Sequence, residues 1–303
     1  MTYNHSPVLI DEVGLRALKS LADGLPLKGV RPLAYIGSGT SRSPFRTRGL
    51  DFQEIRAYQP GDDIRQIDWK TTAKHGKPYT KLFMDEKERP VYFVCDMRGC
   101  MRFASRGDFK SVVAARMTMF LAWLADRRQD KVGSVVLLPD SVRVFDLQGR
   151  GGLDALMAGL TAGGQPVPPV SDTISLEQAL SLLVQQAKTG ASVFVASDFH
   201  DATPTVFEIL RRLARRRALT LFHIYDDMER DFPAGVWCVT DGTRTTAVDM
   251  RAAGRRESFT RMFNDRMQRL KDTAKTEGWA YHAFQTTDDY LTTVMTWARE
   301  GQT

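Results

Sequence analysis

Apolar runs alternate with longer amphipathic segments from about residue 91 to the end of the chain. The clearest run, residues 91–95, is β-branched and aromatic and stops abruptly at Asp96. A short continuous apolar run of this kind is typical of a strand buried on both faces of a sheet. Its alternation with helical segments predicts an α/β fold with a doubly wound, mostly parallel sheet and helices on both faces.

The pattern of the larger C-terminal part predicts the elements one by one. Strands are expected at residues 91–96, 132–138, 142–147, 192–196, 219–225, 236–240, 245–248 and 279–284. Helices are expected at about residues 108–128, 151–161, 174–188 and 255–276 and near the end of the chain. Pro139-Asp140-Ser141 is a hairpin signal that adds one antiparallel edge strand. Thr203 and Pro204 are typical of the N-cap and the first residue of a further helix.

Residues 1–90 follow a different pattern and predict a separate N-terminal portion. Leu9, Val13, Leu18 and Leu21 form an apolar stripe that indicates a short helix within the first 30 residues. Residues 31–90 are rich in charge, glycine, proline and aromatics, with extended pieces near 52–58 and 79–84. We therefore expect an irregular β-containing subdomain in residues 1–90 and an α/β domain in residues 91–303.

Acidic residues follow three of the predicted strands: Asp96, Asp198 and Asp226. The carboxyl ends of parallel strands meet at one edge of a sheet, and Asp96 and Asp198 flank the expected reversal of strand order. Two carboxylates held close together repel, so such a pair normally has a cation between them or shares a proton. The alternative is that each acid only caps the loop or helix that follows it.

Arg98 and Cys100 occupy the alternate positions after Asp96, where hydroxyl groups would complete a shell for a hard cation. Arginine cannot ligate a cation, and a thiol is a poor ligand for Mg²⁺. The Arg98 guanidinium is therefore expected to act as the counter-ion of the acids, with no metal or other cofactor bound. The residues expected to meet a partner at this edge are Asp96, Arg98, Asp198, His200 and Asp226.

Composition and charge exclude several other classes. No apolar run reaches the length of about 18 residues that a membrane span needs, and the N-terminus lacks a signal-peptide layout. The three cysteines have no metal-ligand spacing, and the net charge is +6. These features predict a cytoplasmic protein. Five arginines crowd one helix end (Arg211, Arg212, Arg215, Arg216 and Arg217), which indicates either a solvated helix face or a surface for nucleic acid.

The stretch from 56 to 78, RAYQPGDDIRQIDWKTTAKHGKP, resembles the hallmark stretch of the domain of unknown function 58 proteins. With the later strands, the resemblance extends over about residues 37–300. That bacterial family is similar to von Willebrand factor A domains. Its members are often encoded beside MoxR-type AAA+ ATPases and are thought to act with them in assembling or activating other proteins. The resemblance implies a binding module.

The A-domain fold carries a metal-ion-dependent adhesion site built from an Asp-x-Ser-x-Ser run, a distant Thr and a later Asp. Asp96, Thr173 and Asp198 match the first Asp, the Thr and the last Asp, whereas Arg98 and Cys100 replace the two serines. The resemblance therefore implies a degenerate site. For Thr173 the alternative role is a helix N-cap.

These observations favour a non-enzymatic adaptor that cooperates with a MoxR-type AAA+ ATPase and binds an unidentified client protein through the C-terminal edge of its sheet. One alternative is a hydrolase that uses Asp96, Asp198 and Asp226 with a divalent metal such as Mg²⁺. The other is a nucleic-acid-binding protein that uses the five arginines between residues 211 and 217.

Overall fold

The computed structural model describes residues 5–25, 54–58, 69–82, 90–145, 149–165, 172–240 and 244–299. The chain divides into two compact units, one made of Met1–Pro44 with Arg89–Thr303 and the other of Phe45–Glu88. The boundary predicted at residue 90 thus differs from this division in one respect, because the N-terminal helix lies with the larger unit.

The described helices are α1 (Glu12–Asp23), α2 (Trp69–His75), α3 (Lys110–Arg127), α4 (Gly149–Gly163), α5 (Leu176–Gln186), α6 (Pro204–Ala214), α7 (Asp227–Arg230), α8 (Ala253–Glu277) and α9 (Tyr290–Arg299). The described strands are β1 (Glu54–Ala57), β2 (Tyr79–Leu82), β3 (Pro90–Asp96), β4 (Lys131–Leu137), β5 (Val142–Phe145), β6 (Ser192–Ser197), β7 (Ala218–Tyr225), β8 (Val236–Thr240), β9 (Thr245–Asp249) and β10 (Ala280–Gln285).

The smaller unit contains α2 and an antiparallel pair of strands, β1 and β2. The strands correspond to the two extended pieces predicted near residues 52–58 and 79–84. The helix between them was not predicted. Residues 59–68 of the stretch that resembles the domain of unknown function 58 proteins lie outside the described residues.

Six strands of the larger unit form one sheet in the order β10-β7-β6-β3-β4-β5. Every neighbouring pair is parallel except β4 and β5, which form the predicted antiparallel hairpin. The strand order reverses beside β3, since β4 lies on one side of it and β6 on the other. The predicted doubly wound, mostly parallel α/β fold is confirmed, and β3 and β6 flank its switch point.

Alternate residues of β3 enter two separate apolar cores, as strand geometry requires. Val91, Phe93 and Cys95 belong to the core that contains residues of α1, α3, α4 and α9. Tyr92 and Val94 belong to the core that contains residues of α5, α6 and α8. A strand covered on both faces explains the continuous apolar run in the sequence.

Helix α3 is buried along nearly its whole length, which explains why its sequence is apolar on most sides. It contacts α1, α4 and α9 as well as the sheet. The indole nitrogen of Trp123 donates a hydrogen bond to the Leu15 carbonyl at 3.1 Å, which fastens α1 to α3. This packing is the physical reason why α1 belongs to the larger unit.

The apolar stripe predicted for the N-terminal helix is partly wrong. Leu9 and Val13 are 42% and 74% exposed, whereas Leu15, Leu18 and Ala22 are buried. The helix starts later than residue 9, so the buried face follows the spacing of residues 15, 18 and 22. Further along the chain, the predicted N-cap Thr203 and first helical residue Pro204 are confirmed for α6.

No helix within the described ranges combines the length and the apolar character that a membrane crossing demands.

Gly107 holds the loop before α3 against the turn after β10. Its φ is +74°, and a Cβ at this position would lie 2.1 Å from the backbone oxygen of Thr286. Gly190 has a similar φ of +80° but no atom within 4 Å of a built Cβ. We expect Gly190→Ala to lower the free energy of unfolding by about 1 kcal/mol, the cost of a left-handed non-glycine residue. Gly107→Ala should lower the free energy of unfolding by about 1–3 kcal/mol more than Gly190→Ala does, because backbone atoms near residue 286 must also move.

Urea denaturation of the two variants and the wild-type chain measures this difference. Equal losses for both variants would show that the Thr286 backbone gives way without cost.

Candidate functional site

A buried arginine lies between two aspartates at the C-terminal end of β3. Arg98 Nε and Nη2 donate to Oδ1 and Oδ2 of Asp96 at 2.9 and 2.7 Å. Its Nη1 and Nη2 donate to Oδ2 and Oδ1 of Asp201 at 2.7 and 3.1 Å. Arg98 is 1% exposed, and its Nη1 also donates to the carbonyl of Ile174 at 3.1 Å. Every nitrogen of the guanidinium is thus bonded, an arrangement that needs the planar fork of arginine.

The end of β3 explains why Arg98 turns back to Asp96. Arg98 is extended, with φ −64° and ψ 171°, and lies two residues beyond the last residue of the strand. Its backbone N–H donates to Asp96 Oδ1 at 3.1 Å. From the neighbouring strand, the Ser197 hydroxyl donates to Asp96 Oδ2 at 2.7 Å. Both oxygens of Asp96 are therefore occupied by donors of the same chain.

For Arg98 and Asp201, the ion pair affects the pKa more strongly than burial does, and both groups stay charged. Burial alone would lower the pKa of Arg98, but the hydrogen bonds and charge of Asp96, followed by the hydrogen bonds to Asp201, raise it. Burial alone would raise the pKa of the Asp201 carboxyl, yet the Arg98 guanidinium lowers it. The guanidinium that the sequence predicts among the strand-end acids is bonded to Asp96, but its second acid is Asp201 and not Asp198.

A second buried cation, Lys110, was not identified from the sequence. Its Nζ donates to Asp198 Oδ2 at 2.7 Å and to Glu229 Oε1 at 2.6 Å. Burial alone would lower its pKa, but the charges of Asp198 and then Glu229 raise it. Lys110 is the first residue of the otherwise apolar helix α3. That position was the only signal available, because both of its partners lie about 90 residues or more along the chain.

Cys100 and His200 contact the other oxygen of Asp198. His200 donates to Asp198 Oδ1 from its backbone N–H at 3.1 Å, and its Nδ1 lies 2.9 Å from the same oxygen. The Cys100 Sγ lies 4.0 Å from this oxygen. Burial by itself raises the pKa of the Asp198 carboxyl, but the Lys110 charge and the His200 hydrogen bond lower it well below its usual range.

Thr173 lies apart from this group of side chains. Its hydroxyl donates to the carbonyl of Pro139 at 3.2 Å, and its side chain is exposed. The alternative role as a helix N-cap is wrong, because α5 begins at Leu176 with Ser175 as its N-cap. The residue that does approach the site from this segment is Asp172, which accepts hydrogen bonds from the backbone N–H groups of residues 99 and 100 at 2.7 and 3.1 Å.

Asp226 caps a helix and also binds two neighbouring loops through hydrogen bonds. It is the N-cap of α7 and accepts from Met228 N at 2.9 Å. Its other oxygen accepts from Ser105 N and from the Thr286 hydroxyl, each at 2.8 Å. For Asp226, the alternative that the acid caps the following helix is therefore correct.

The residues at this edge do not fit a hard divalent cation of the adhesion-site kind. Such a cation needs several free oxygen ligands. Both oxygens of Asp96 are taken by Arg98 and Ser197, and Lys110 takes Oδ2 of Asp198. The Thr173 hydroxyl is directed to a backbone carbonyl. Arg98 and Lys110 thus occupy the carboxylate oxygens that such an ion would need as ligands.

A cavity of about 440 Å³ opens beside Glu229, one of the two carboxylates that Lys110 binds. His200 and Glu229 line it together with the α8 residues Phe259, Phe263 and Arg266. The guanidinium carbon of Arg266 lies 5.6 Å from the ring centre of Phe263. The cavity therefore joins an apolar and aromatic wall to charged side chains of the network.

A family model described as "Protein of unknown function DUF58" matches residues 54–269. The matched span is more than half of the chain. The chain belongs to the DUF58 family. The match begins at β1 and ends within α8, so it includes both buried cations and their four carboxylates in this DUF58 protein.

Two relatives of this DUF58 protein are uncharacterized proteins from mycobacteria. Mb1516 of Mycobacterium bovis and Rv1480 of Mycobacterium tuberculosis are each 23% identical to it over 186 residues. The match covers 61% of this chain and 58% of each relative. The chain thus matches little more than half the length of these relatives.

Replacing Lys110 with methionine should destabilise the protein strongly. The substitution keeps an unbranched side chain of similar length but leaves the buried Asp198 carboxylate without its cation. Removing one partner of a buried ion pair typically costs about 3–5 kcal/mol. We expect a loss of that size in the free energy of unfolding, measured by urea denaturation at neutral pH.

Arg211→Met is the matched control, since Arg211 pairs with Glu277 at 2.8 Å on an exposed surface. Exposed pairs contribute about 0–1 kcal/mol, so this variant should stay close to the wild type. A Lys110→Met variant as stable as Arg211→Met would contradict the role assigned to Lys110.

Proposed function

We propose that this DUF58 protein is a non-enzymatic adaptor that binds a client protein at the C-terminal edge of its sheet and cooperates with a MoxR-type AAA+ ATPase. The observation that carries the proposal is the pairing of Asp96, Asp198 and Asp201 with the buried cations Arg98 and Lys110. The acids of the edge are structural charges, which suits a rigid binding surface.

The same pairing argues against the hydrolase that uses Asp96, Asp198 and Asp226. A general base needs an oxygen within reach of a substrate proton, and a metal-dependent hydrolase needs free ligand atoms. The oxygens of Asp96 are occupied by Arg98 and Ser197, and those of Asp226 by a helix N-terminus, a loop and a hydroxyl. Asp96 and Asp226 are thus used to hold the fold, and Lys110 takes Oδ2 of Asp198, so the three acids cannot share one metal ion.

The loops at this edge offer apolar and polar groups to a protein partner. Phe103, on the loop that leaves β3, is 38% exposed, and the His200 side chain, on the loop that leaves β6, is 39% exposed. The cavity lined by His200 and α8 adds a concave surface with aromatic walls. Protein interfaces commonly combine an apolar anchor in a pocket with a polar rim.

The choice of an AAA+ partner depends on the resemblance to the domain of unknown function 58 proteins, whose members are often encoded beside MoxR-type ATPases. The sequence itself contains no Walker loop, since the glycine-rich stretch at residues 149–152 lacks the following Lys and Ser or Thr. In the proposal, the ATPase supplies the nucleotide chemistry and this chain supplies recognition of the client.

The nucleic-acid alternative has weaker support from the arginine cluster. Arg211 is engaged by Glu277, and Arg217 donates to the backbone carbonyls of residues 187, 188 and 213. Arg212, Arg215 and Arg216 are exposed. The cluster therefore mixes helix-end and ion-pair contacts with solvated arginines, as at a helix C-terminus near β7.

In the proposal, the ATPase contacts the same sheet edge when it acts with this chain on the client, so a substitution there should weaken binding of the ATPase while the fold stays intact. Phe103→Asp places a charge on an exposed apolar position of the edge and should weaken the interaction by about tenfold or more, the range of an interface anchor. The measurement is the affinity of the purified full chain for a MoxR-type AAA+ ATPase in the presence of ATP.

Arg216→Asp is the control, because Arg216 is exposed in the turn that leads into the opposite, N-terminal end of β7. It should leave binding unchanged. The proposal fails if the wild-type chain does not bind the ATPase with or without ATP. It also fails if binding is lost on Arg216→Asp and retained on Phe103→Asp.

A further inference from the structure

The side chains of Cys100 and His200 both approach oxygen Oδ1 of Asp198 at the C-terminal edge of the sheet. The Cys100 Sγ, a carboxylate oxygen of Asp198 and a ring nitrogen of His200 all lie within 4.8 Å of one another. We propose that these three residues form a binding site for Zn²⁺. The site is separate from the adaptor function proposed above and does not depend on it.

The distances lie close to those of a tetrahedral zinc centre. With Zn–O, Zn–N and Zn–S bonds of about 2.1, 2.0 and 2.3 Å, tetrahedral ligands lie about 3.3–3.6 Å apart. Asp198 Oδ1 lies 2.9 Å from His200 Nδ1 and 4.0 Å from Cys100 Sγ. Side-chain rotations that open the first distance and close the second by about half an ångström give two of the three distances of zinc geometry. The third pair, Cys100 Sγ and the His200 ring nitrogen, lies within 4.8 Å and would have to come to about 3.5 Å.

The surrounding chain fixes the ligands in place. Lys110 binds Asp198 Oδ2 and leaves Oδ1 directed toward Cys100 and His200. Phe199, between the two ligands of the β6–α6 loop, has a φ of +51°. Positive φ is costly for a bulky residue, and such strained residues cluster at functional sites.

Asp172 fixes the third ligand through the backbone. It accepts from the N–H groups of residues 99 and 100, which lie in a single 3-10 turn after β3. The Cys100 thiol is thus carried on a short turn whose first two N–H groups are bonded to Asp172. Second contacts of this kind orient the ligands of protein metal sites.

The charge balance of the edge leaves room for a divalent ion. Four carboxylates are joined by ion pairs to two permanent cations, with Asp96 and Asp201 on Arg98 and with Asp198 and Glu229 on Lys110. Two negative charges remain when His200 is neutral. A Zn²⁺ ion would bind as the Cys100 thiol passes its proton to solvent, which would lower the residual charge from two negative charges to one.

The ligand types select zinc over magnesium. Thiolate and imidazole are good ligands for Zn²⁺, whereas Mg²⁺ prefers an octahedral set of oxygens. Three protein ligands leave a fourth position of the tetrahedron, and His200 also lines the 440 Å³ cavity. The fourth ligand can therefore be a water molecule that enters through this cavity.

The test uses the full chain, stripped with a chelator and titrated with Co²⁺ and then Zn²⁺. Cobalt should bind in a ratio of one ion per chain and give the sulfur-to-cobalt charge-transfer band that reports a thiolate ligand. Zn²⁺ should abolish the band by displacement, and excess Mg²⁺ should leave it unchanged. Competition with a chromophoric chelator gives the zinc affinity.

Two variants remove ligands without disturbing the buried pair of Asp198 and Lys110. Cys100→Ala should abolish the band, and His200→Gln should weaken zinc binding by more than about 100-fold, beyond the effect of an outer contact. Cys238→Ala is the control, because Cys238 is an exposed free cysteine on β8. It should leave both the band and the affinity unchanged.

Several results would overturn the site. One is the absence of a charge-transfer band in the wild-type chain. Another is a band that disappears on Cys238→Ala and persists on Cys100→Ala. A third is a zinc affinity that neither ligand variant changes. None of these results would affect the adaptor proposal, whose test measures binding of an ATPase through Phe103.

Discussion

The fork of Arg98 is the contact on which the arrangement of this sheet edge depends. It joins Asp96 at the end of the central strand to Asp201 on the loop that leaves β6, and it also reaches the Ile174 carbonyl just before α5. Asp201 in turn accepts from the backbone N–H of Leu176 at 3.0 Å, at the start of α5. One buried cation thus connects three segments that are distant in sequence. A doubly wound sheet leaves a crevice at this point, and here Arg98 spans it between Asp96 and Asp201.

Lys110 extends the same principle to the other side of β6. It fastens the start of α3 to Asp198 and to Glu229 of α7. Buried ion pairs contribute little net stability compared with apolar packing, but losing one partner is severely destabilising. The network therefore commits the edge to one arrangement of buried charges.

The architecture and its central acid could be predicted from the sequence because both depend on local pattern. An apolar run that ends in an acid predicted β3 and Asp96, and the spacing of two residues predicted that Arg98 would turn back toward it. The partners Lys110, Asp172 and Asp201 could not be predicted in the same way. Each approaches from a segment about 70 residues or more away from its contact, and only the folded sheet brings these segments together. Thr173 was matched to a family pattern but does not join the site. The pattern could not predict that its hydroxyl donates to the carbonyl of Pro139.

A crystal structure of the protein grown in millimolar Mg²⁺ would test the central claim most directly. The Arg98 guanidinium should remain bonded to both Asp96 and Asp201, with no ion between Asp96 and Asp198. A magnesium ion coordinated by Asp96 and Asp198, with the guanidinium displaced from the edge, would contradict it.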